Sequence, residues 1–111
     1  MNEKKITVAL SVWRPEERWL AEQVASIAAQ ENREDIELLC WNDSPEDFDA
    51  AGWFRAHPQP FSVRVLGDGQ THGVTAAFAA LTEAAGSTYI AYCDQDDLWH
   101  PQKLSRMAVY L

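Results

Sequence analysis

The sequence predicts an α/β domain built around a parallel β-sheet. Along its 111 residues, short apolar runs alternate with amphipathic stretches in the order strand, helix, strand, short helix, strand, helix, strand, helix. The first run is almost continuously apolar, which is typical of a strand that helices cover on both faces of a parallel sheet. Polar or aromatic residues directly follow three of the four runs. In such sheets ligands bind beyond the carboxyl ends of the strands, so these residues are candidates for a site.

The first part of the chain contains two predicted strands and the helix that joins them. Residues 6–12 are rich in β-branched side chains and predict the first strand. A helix is predicted from Pro15, which suits a first helical turn, to about Gln30. Its apolar stripe has the helical period and consists of Leu20, Val24, Ile27 and Ala28. After a polar link, residues 36–41 predict the second strand.

The middle of the chain is predicted to form a short helix and an edge strand. Ser44 and Pro45 resemble an N-cap and a first-turn proline, which predicts a helix over about residues 45–56. Residues 62–66 alternate more between polar and apolar side chains than the other strands do. Arg64 within that run indicates a position at the edge of the sheet.

The last part of the chain is predicted to form a helix, a strand and a final helix. A glycine-rich loop leads into a helix over residues 74–85, and Gly86 is a natural stop for it. Residues 89–93 predict the fourth strand, and the final helix opens at residues 100–101. The core near this end is predicted to include Leu98, Trp99 and Leu104.

The composition excludes several classes of partner and site. Seventeen acidic residues against nine basic ones give a net charge of −8, whereas binding to nucleic acid or an anionic membrane needs a basic surface. No apolar stretch reaches the roughly 18 residues of a membrane span and no signal peptide precedes the first strand, so a cytoplasmic protein is expected. Cys40 and Cys93 lie in apolar runs, which favours reduced thiols over a disulfide. No His/Cys spacing suggests zinc.

Three aspartates follow the last predicted strand, in the motif Asp94-Gln95-Asp96-Asp97. In an extended backbone, residues two apart point the same way, so Asp94 and Asp96 would face one side. Two converging carboxylates at a strand end suit a divalent cation, which such sites share with substrate phosphates. The alternative is a solvated acidic loop in which Asp94 caps a turn and the other two aspartates face water.

Three segments of the chain resemble the N-terminal half of a family 2 glycosyltransferase of the GT-A fold. Residues 6–15 match the family's apolar strand with a small hydroxyl residue and an aromatic at its end, and residues 36–44 match its strand ending in acids and a small polar residue. Residues 86–104 match its Asp-x-Asp-Asp motif and a following Trp-x-Pro-x-Lys-Leu. The acidic motif is most similar to the bacterial rhamnosyltransferase-like branch. The resemblance covers essentially the whole chain.

The resemblance implies a GT-A, Rossmann-like fold of three layers, α/β/α, with a mainly parallel sheet in the strand order 3-2-1-4. In that order Cys40 and Cys93 lie two strands apart, about 10 Å, which is too far for a disulfide. The resemblance also implies that residues 1–111 form the nucleotide-sugar-binding half of a longer, here truncated, glycosyltransferase domain.

The implied activity is glycosyl transfer from a dTDP- or UDP-linked sugar, with dTDP-rhamnose as one candidate, to a saccharide or lipid-linked acceptor in bacterial polysaccharide biosynthesis. Mg²⁺ or Mn²⁺ would be the cofactor, and the full-length protein could lie peripherally at the inner membrane. Family members carry the acceptor site and a general-base carboxylate in a second half, whereas this sequence ends at Leu111. No catalytic residue is therefore expected among these residues, and no sugar transfer by them alone.

The resemblance also assigns roles to residues of the nucleotide site. Ser11 and Trp13 correspond to groups around the base, and Asp43 corresponds to a carboxylate that hydrogen-bonds the pyrimidine or the ribose. His72 lies in a loop near the donor. Considered without the resemblance, Trp13 fits a core position, Asp43 a helix cap and His72 an ordinary loop residue.

The metal ligands implied by the resemblance are Asp94 and Asp96. Asp96 is favoured as the direct ligand of Mg²⁺ or Mn²⁺, with Asp94 nearer the ribose or a metal-bound water. The chain departs from the family at Asn42, which replaces the first acid of the usual pair. It departs again at residues 77–79, where many members carry an arginine and an asparagine.

Two other classes of function fit parts of the pattern. A receiver-like, metal-dependent phosphoryl-transfer domain also clusters aspartates at strand ends, but its acids follow the first strand, where this chain has Ser11 and Trp13. The second class is a non-catalytic fragment, which either binds a nucleotide without reacting or binds nothing. Metal-dependent binding of a nucleotide separates these possibilities.

Overall fold

The computed structural model of the chain describes residues 5–85, 89–93 and 98–108. In this part of the chain, four strands and four α-helices alternate, with one 3₁₀ turn in the polar link after the first helix. The elements in chain order are β1 Ile6–Val12, α1 Glu17–Ala28, the 3₁₀ turn Arg33–Asp35, β2 Ile36–Asn42, α2 Ala50–Ala56, β3 Ser62–Leu66, α3 Val74–Ala84, β4 Tyr89–Cys93 and α4 Lys103–Ala108.

The four strands form one parallel sheet in the order β3-β2-β1-β4, which confirms the predicted order. β1 pairs with β2 over its whole length, from Ile6 opposite Ile36 to Val12 opposite Asn42. Because all pairings are parallel, the strands end toward the same edge of the sheet. β3 lies at the other side of β2, so the edge position indicated by Arg64 is also confirmed.

The two cysteines lie on either side of the central strand. Leu10 of β1 is opposite Cys40 of β2 on one side and opposite Cys93 of β4 on the other. Both thiols are buried and they form no disulfide, as predicted. Burial raises the pKa of the Cys40 thiol to about 12, so it is protonated at neutral pH.

Helices cover both faces of the sheet, which gives the three predicted layers. Because successive strand side chains point to opposite faces, Leu10 belongs to a buried cluster with residues of α1, α2 and α4, while Ala9 belongs to a second cluster with residues of α3. Fully burying a large aliphatic side chain contributes about 1.5–3 kcal/mol. The largest helix side chains buried on the sheet are Leu20, Val24 and Ile27 of α1, Trp53 and Phe54 of α2, Leu81 of α3 and Leu104 of α4.

The prediction for the start of the short helix was wrong. α2 begins at Ala50, and its N-cap is Asp49, whose side chain accepts a hydrogen bond from the Gly52 backbone N–H at 3.0 Å. Ser44 does not cap it, because the Ser44 hydroxyl accepts the backbone N–H of Arg14 at 2.7 Å. A turn after Ser44 separates β2 from the helix.

Three smaller predictions also need correction. α1 begins at Glu17, just after Pro15, and ends at Ala28 rather than near Gln30. α4 begins at Lys103, after a turn. Leu98 was predicted to lie in the core, but it is 58% exposed; Trp99 and Leu104 are buried, as expected. No helix in the described ranges is long and apolar enough to cross a membrane.

Candidate functional site

The carboxyl ends of β1 and β2 meet at one edge of the sheet, here called the rim. The Asp43 backbone N–H donates to the Val12 carbonyl at 2.8 Å, so the strand ends stay joined one residue beyond β2. Trp13 therefore follows β1 beside the residues that follow β2. The proposed metal ligands Asp94 and Asp96 lie outside the described residues, and the last described residue before them is Cys93, at the end of β4.

Trp13 and Arg14 form one side of the rim. Trp13 is 49% exposed, so it is not the core residue that it would be in the alternative interpretation. The Arg14 guanidinium lies 4.9 Å from the centre of the Trp13 ring, and its Nε donates to Asp47 Oδ2 at 2.9 Å. Arg14 has a φ of 44°, a left-handed conformation that is uncommon for residues other than glycine. Its hydrogen bond to the Ser44 hydroxyl holds the backbone in that conformation.

A polar cavity of about 320 Å³ opens at the rim between these residues and the glycine loop, residues 67–73. A site of this size suits a small-molecule group, and an exposed indole in its wall offers a flat face for stacking. The residues that line it are Trp13, Arg14, Ser44, Pro45, Glu46, Asp47, Gly69, Gln70 and Thr71. Sequence reasoning missed Arg14, Asp47 and Gln70, since nothing in their spacing links them.

Asp43 connects β2 to the glycine loop and is only 3% exposed. Its Oδ1 accepts the His72 backbone N–H at 2.7 Å and the Trp41 indole N–H at 3.2 Å. Its Oδ2 accepts the Gly73 N–H at 2.9 Å, and its carbonyl accepts the Thr71 hydroxyl at 2.7 Å. Gly73 has a φ of +92°, which a glycine adopts without strain. Asp43 thus fixes the loop that forms the opposite wall of the cavity.

The surroundings of Asp43 favour its charged form. Burial by itself would raise the pKa of the carboxyl, but the hydrogen bonds from His72, Gly73 and Trp41, together with the nearby His72 ring, hold it below its ordinary value of 3.8. A carboxylate that accepts several N–H bonds is typically stabilised in this way. Asp43 is therefore ionised near neutral pH and carries negative charge at the rim.

The other two predicted base-binding residues differ in exposure: His72 is exposed and Ser11 is buried. The His72 ring bonds to Asp68 through Nε2 and Oδ2 at 2.6 Å, and this bond lowers the pKa of the Asp68 carboxyl. Its ring is 6.2 Å from that of Trp41. Ser11 is buried opposite Trp41 in the register of β1 and β2 and does not line the cavity. Of the predicted base-binding residues, Trp13 lines the cavity, whereas Asp43 and His72 lie at the rim without lining it and Ser11 is buried in β1.

Helix α3 explains one departure from the family pattern. Ala77 is fully buried against the sheet, so this position cannot carry a phosphate-binding side chain without repacking. Phe78 packs edge-on against Tyr92 of β4, with ring centres 5.1 Å apart. The arginine and asparagine found here in many members have no counterpart at these two positions.

The residues that the structure describes contain no group of three or more His, Cys, Asp or Glu side chains that could hold a metal ion. The predicted ligands Asp94 and Asp96 supply carboxylate oxygens, the donor type that Mg²⁺ and Mn²⁺ prefer. These oxygen donors fit a hard divalent cation. Asp94 and Asp96 themselves lie outside the described residues.

The family model "Glycosyl transferase family 2" matches residues 12–111. The chain belongs to glycosyl transferase family 2. Membership favours the glycosyltransferase interpretation over the receiver-like one. It leaves the rhamnosyltransferase-like branch undecided. No protein of curated function matches this family 2 chain in sequence.

Solved structures share the fold of this family 2 chain at low sequence identity. A structure of S. aureus TarS residues 1–349 in complex with UDP superposes with a TM-score of 0.82 at 16% identity, covering 96% of this chain and 31% of that one. The mannosyltransferase PcManGT from Pyrobaculum calidifontis, in complex with GDP-Man and Mn²⁺, superposes with a TM-score of 0.72 at 17% identity, covering 94% and 30%. The chain thus spans about a third of the length of these two solved chains and has a GT-A-like fold.

Proposed function

We propose that this chain is the donor-binding half of an enzyme that transfers a glycosyl group from a nucleotide-diphospho-sugar to a saccharide or lipid-linked acceptor. The observation that carries the proposal is the rim, where Trp13 and the glycine loop line one polar cavity and the buried, ionised Asp43 holds that loop in place. Family membership supports the reaction class. Structural relatives solved with UDP, UDP-GlcNAc and GDP-Man support a nucleotide-sugar donor.

In this proposal the nucleotide base stacks on Trp13, and the donor is a UDP- or dTDP-sugar, dTDP-rhamnose among them. The exposed indole supplies the stacking surface. Asp43 is proposed to accept a hydrogen bond from the pyrimidine or the ribose while it holds the glycine loop, with His72 beside it. Ser11, which is buried in β1, is proposed to lie near the base. Each of these roles can be tested by substituting the residue.

Asp94 and Asp96 are proposed to hold Mg²⁺ or Mn²⁺ beside the diphosphate, with Asp96 as the direct ligand. When bound, such an ion neutralises the diphosphate and stabilises it as a leaving group. The structural relative solved with both GDP-Man and Mn²⁺ supports a divalent cation in this fold. The ion would also offset electrostatic repulsion. A chain with a net charge of −8 repels an anionic diphosphate unless a cation lies between them.

The proposal is tested by calorimetry with UDP and with dTDP, each with Mn²⁺ and with EDTA. We expect binding that Mn²⁺ strengthens, and we expect the Asp96→Ala variant to lose that strengthening while it keeps the metal-free affinity. Glu46→Ala, which removes a cavity-lining carboxylate, is the matched control and should keep the response to Mn²⁺. Absence of nucleotide binding in every condition would reject the proposed donor site.

The general base and the acceptor site are proposed to come from outside these residues. We therefore expect residues 1–111 to bind the donor without transferring the sugar, because in this proposal the base that takes the proton of an acceptor hydroxyl lies outside them. A turnover assay with a nucleotide-sugar and a saccharide acceptor checks this, with UDP or dTDP release as the readout. Robust acceptor-dependent release by this chain would contradict it.

A further inference from the structure

The side chain of Asn42, the last residue of β2, binds both ends of the turn formed by residues 44–48. Its Oδ1 accepts the Ser44 backbone N–H at 3.1 Å, and its Nδ2 donates to the Phe48 carbonyl at 2.7 Å. Within the turn, the Ser44 carbonyl accepts the backbone N–H groups of Asp47 and Phe48, each at 3.0 Å. The Asn42 amide therefore closes the turn from the side of the strand.

The two partners of the Asn42 amide fix the role of each of its ends. A backbone N–H only donates and a backbone carbonyl only accepts, so the side chain at this position must both accept and donate. An ionised carboxylate only accepts. The acid of the usual family pair would keep the bond to Ser44 but would set an acceptor oxygen against the Phe48 carbonyl. This turn therefore requires the amide by which the chain departs from the family pattern.

The same turn fixes Arg14, which follows Trp13 after the end of β1. The Ser44 hydroxyl accepts the Arg14 backbone N–H at 2.7 Å, and Asp47 Oδ2 accepts the Arg14 Nε–H at 2.9 Å. These contacts join residues 30 and 33 positions apart, and they hold both the backbone and the side chain of Arg14. Its φ of 44° is uncommon outside glycine, and such conformations persist where the surrounding structure determines them. The turn therefore determines how the chain leaves β1.

Arg14 in turn restrains the ring of Trp13. Its guanidinium lies over the indole, 4.9 Å from the ring centre, in a cation–π contact. The Asp47 carboxylate holds this guanidinium from the turn after β2, so the group beside the ring is itself fixed. Trp13 lines the rim cavity, and a restrained ring is already oriented for a base that stacks on it. Such preorganisation raises affinity, because binding then orders fewer groups.

We infer that Asn42 is a positioning residue for the ring of Trp13 on which the nucleotide base stacks. The inference deepens the proposed function and rests on it for the role of Trp13. Asn42 does not line the rim cavity and touches no nucleotide in this scheme. It acts through the turn of residues 44–48, which holds Arg14, which in turn holds the ring. The family departure at this position thus serves the nucleotide site indirectly.

The first test needs no ligand and measures the order parameter of the Trp13 indole N–H by NMR relaxation. The variants are Asn42→Leu, which is similar in size and forms neither bond, and Asn42→Asp, which restores the family's acid. We expect the order parameter to fall in both variants, from about 0.85, the value for rigid groups, toward about 0.6. Trp19 also lies beside an arginine but on α1, outside the cavity, and its indole signal in the same spectrum should not change.

The second test measures the Kd for UDP by calorimetry. We expect both Asn42 variants to bind UDP about fivefold more weakly, the factor that corresponds to one lost hydrogen bond. Asn42→Leu adds no charge, so its loss separates the missing bonds from repulsion between a new carboxylate and the diphosphate. In the Trp13→Ala background, Asn42→Leu should weaken binding no further, because its effect passes through the ring.

Asp49→Ala is the matched control, because it removes the N-cap of α2 beside the same turn. The Asp49 side chain accepts from Gly52 and does not line the rim cavity. This variant should lose stability but keep the Trp13 order parameter and the Kd for UDP. Ser44→Ala, which removes the acceptor of the Arg14 backbone N–H, should lower the Trp13 order parameter. It keeps the inference testable should the Asn42 variants fail to fold.

The outcomes separate this inference from the proposed function. An unchanged Trp13 order parameter in both Asn42→Leu and Ser44→Ala would overturn the positioning role, whatever the affinity for UDP. Tighter binding of UDP by Asn42→Asp would also overturn it, because an acid at this position would then serve the nucleotide directly. If the unmodified protein binds no UDP, the proposed donor site is rejected, and the order parameters still decide whether Asn42 holds the ring.

Discussion

The Asp43→Asn variant is expected to lose about 1.5–3 kcal/mol of unfolding free energy at neutral pH, the range for hydrogen bonds to a charged group. The substituted amide can accept hydrogen bonds at only one of its two terminal atoms. It therefore leaves the N–H of either Gly73 or His72 facing an amide donor. The same change should loosen the glycine loop, which Asp43 joins to β2, and weaken nucleotide binding at the rim.

The pH dependence of this effect has a definite sign. The pKa of Asp43 is lower in the folded protein than its ordinary value of 3.8, so folding favours the charged form. Its stabilising contribution is therefore complete above that ordinary value and is lost as the pH falls through the folded-state pKa. The difference in stability between the unmodified protein and the Asp43→Asn variant should be constant from neutral pH to about pH 5 and should shrink below about pH 4.

Urea unfolding followed by circular dichroism between pH 2.5 and 7 measures this difference. Asp47→Asn is the control, because Asp47 also carries a carboxylate at the rim but makes an exposed ion pair with Arg14. Such pairs contribute at most about 1 kcal/mol. Equal stability of the Asp43→Asn variant and the unmodified protein at pH 7 would refute the role of Asp43 in holding the loop.

The Trp13→Ala variant is expected to bind UDP about 5- to 150-fold more weakly, since stacking of one base on an aromatic side chain contributes about 1–3 kcal/mol. Its stability should change little, because the indole is half exposed at the rim. The Trp13→Phe variant should recover part of the affinity, because a smaller ring still offers a stacking face.

Trp19 provides a closely matched control for this prediction. It is 41% exposed, and the Arg18 guanidinium lies 4.6 Å from its ring, much as Arg14 lies beside Trp13. It lies on α1 and does not line the rim cavity. Calorimetry should therefore show unchanged UDP affinity for Trp19→Ala. Equal losses for the two tryptophan variants would mean that Trp13 does not stack on the base.

The strands could be predicted because each of them is marked by a pattern of neighbouring residues in the sequence. Each strand is a short apolar run bounded by turn residues, and each long helix has an apolar stripe of helical period, so the sequence alone gave all four strands within a residue. Strand order came from resemblance and is confirmed. The start of α2 was not predictable, because the Ser44 hydroxyl is taken by Arg14, 30 residues away. No local pattern reveals that competition.

The site was predictable only in part, for the same reason. Trp13 and Asp43 follow adjacent parallel strands, and such strands end at the same edge of a sheet, so their shared position at the rim could be predicted. The hydrogen bonds that Asp43 accepts from His72 and Gly73 join residues about 30 positions apart. Through them one carboxylate at the end of β2 fixes the glycine loop at the rim. Arg14 looks like an ordinary residue after a strand in the sequence, yet it binds Ser44 and Asp47. Such partners become visible only once the fold brings them together.

The central claim, that one rim of the sheet binds the nucleotide, is tested most directly by an NMR titration of the isotopically labelled chain with UDP and Mg²⁺. The expected result is a set of large shifts at the Trp13 indole N–H and at the backbone amides of residues 71–73, with Ile6 and Ile36 at the opposite edge unchanged. Shifts confined to that opposite edge, with Trp13 and the glycine loop unmoved, would contradict it.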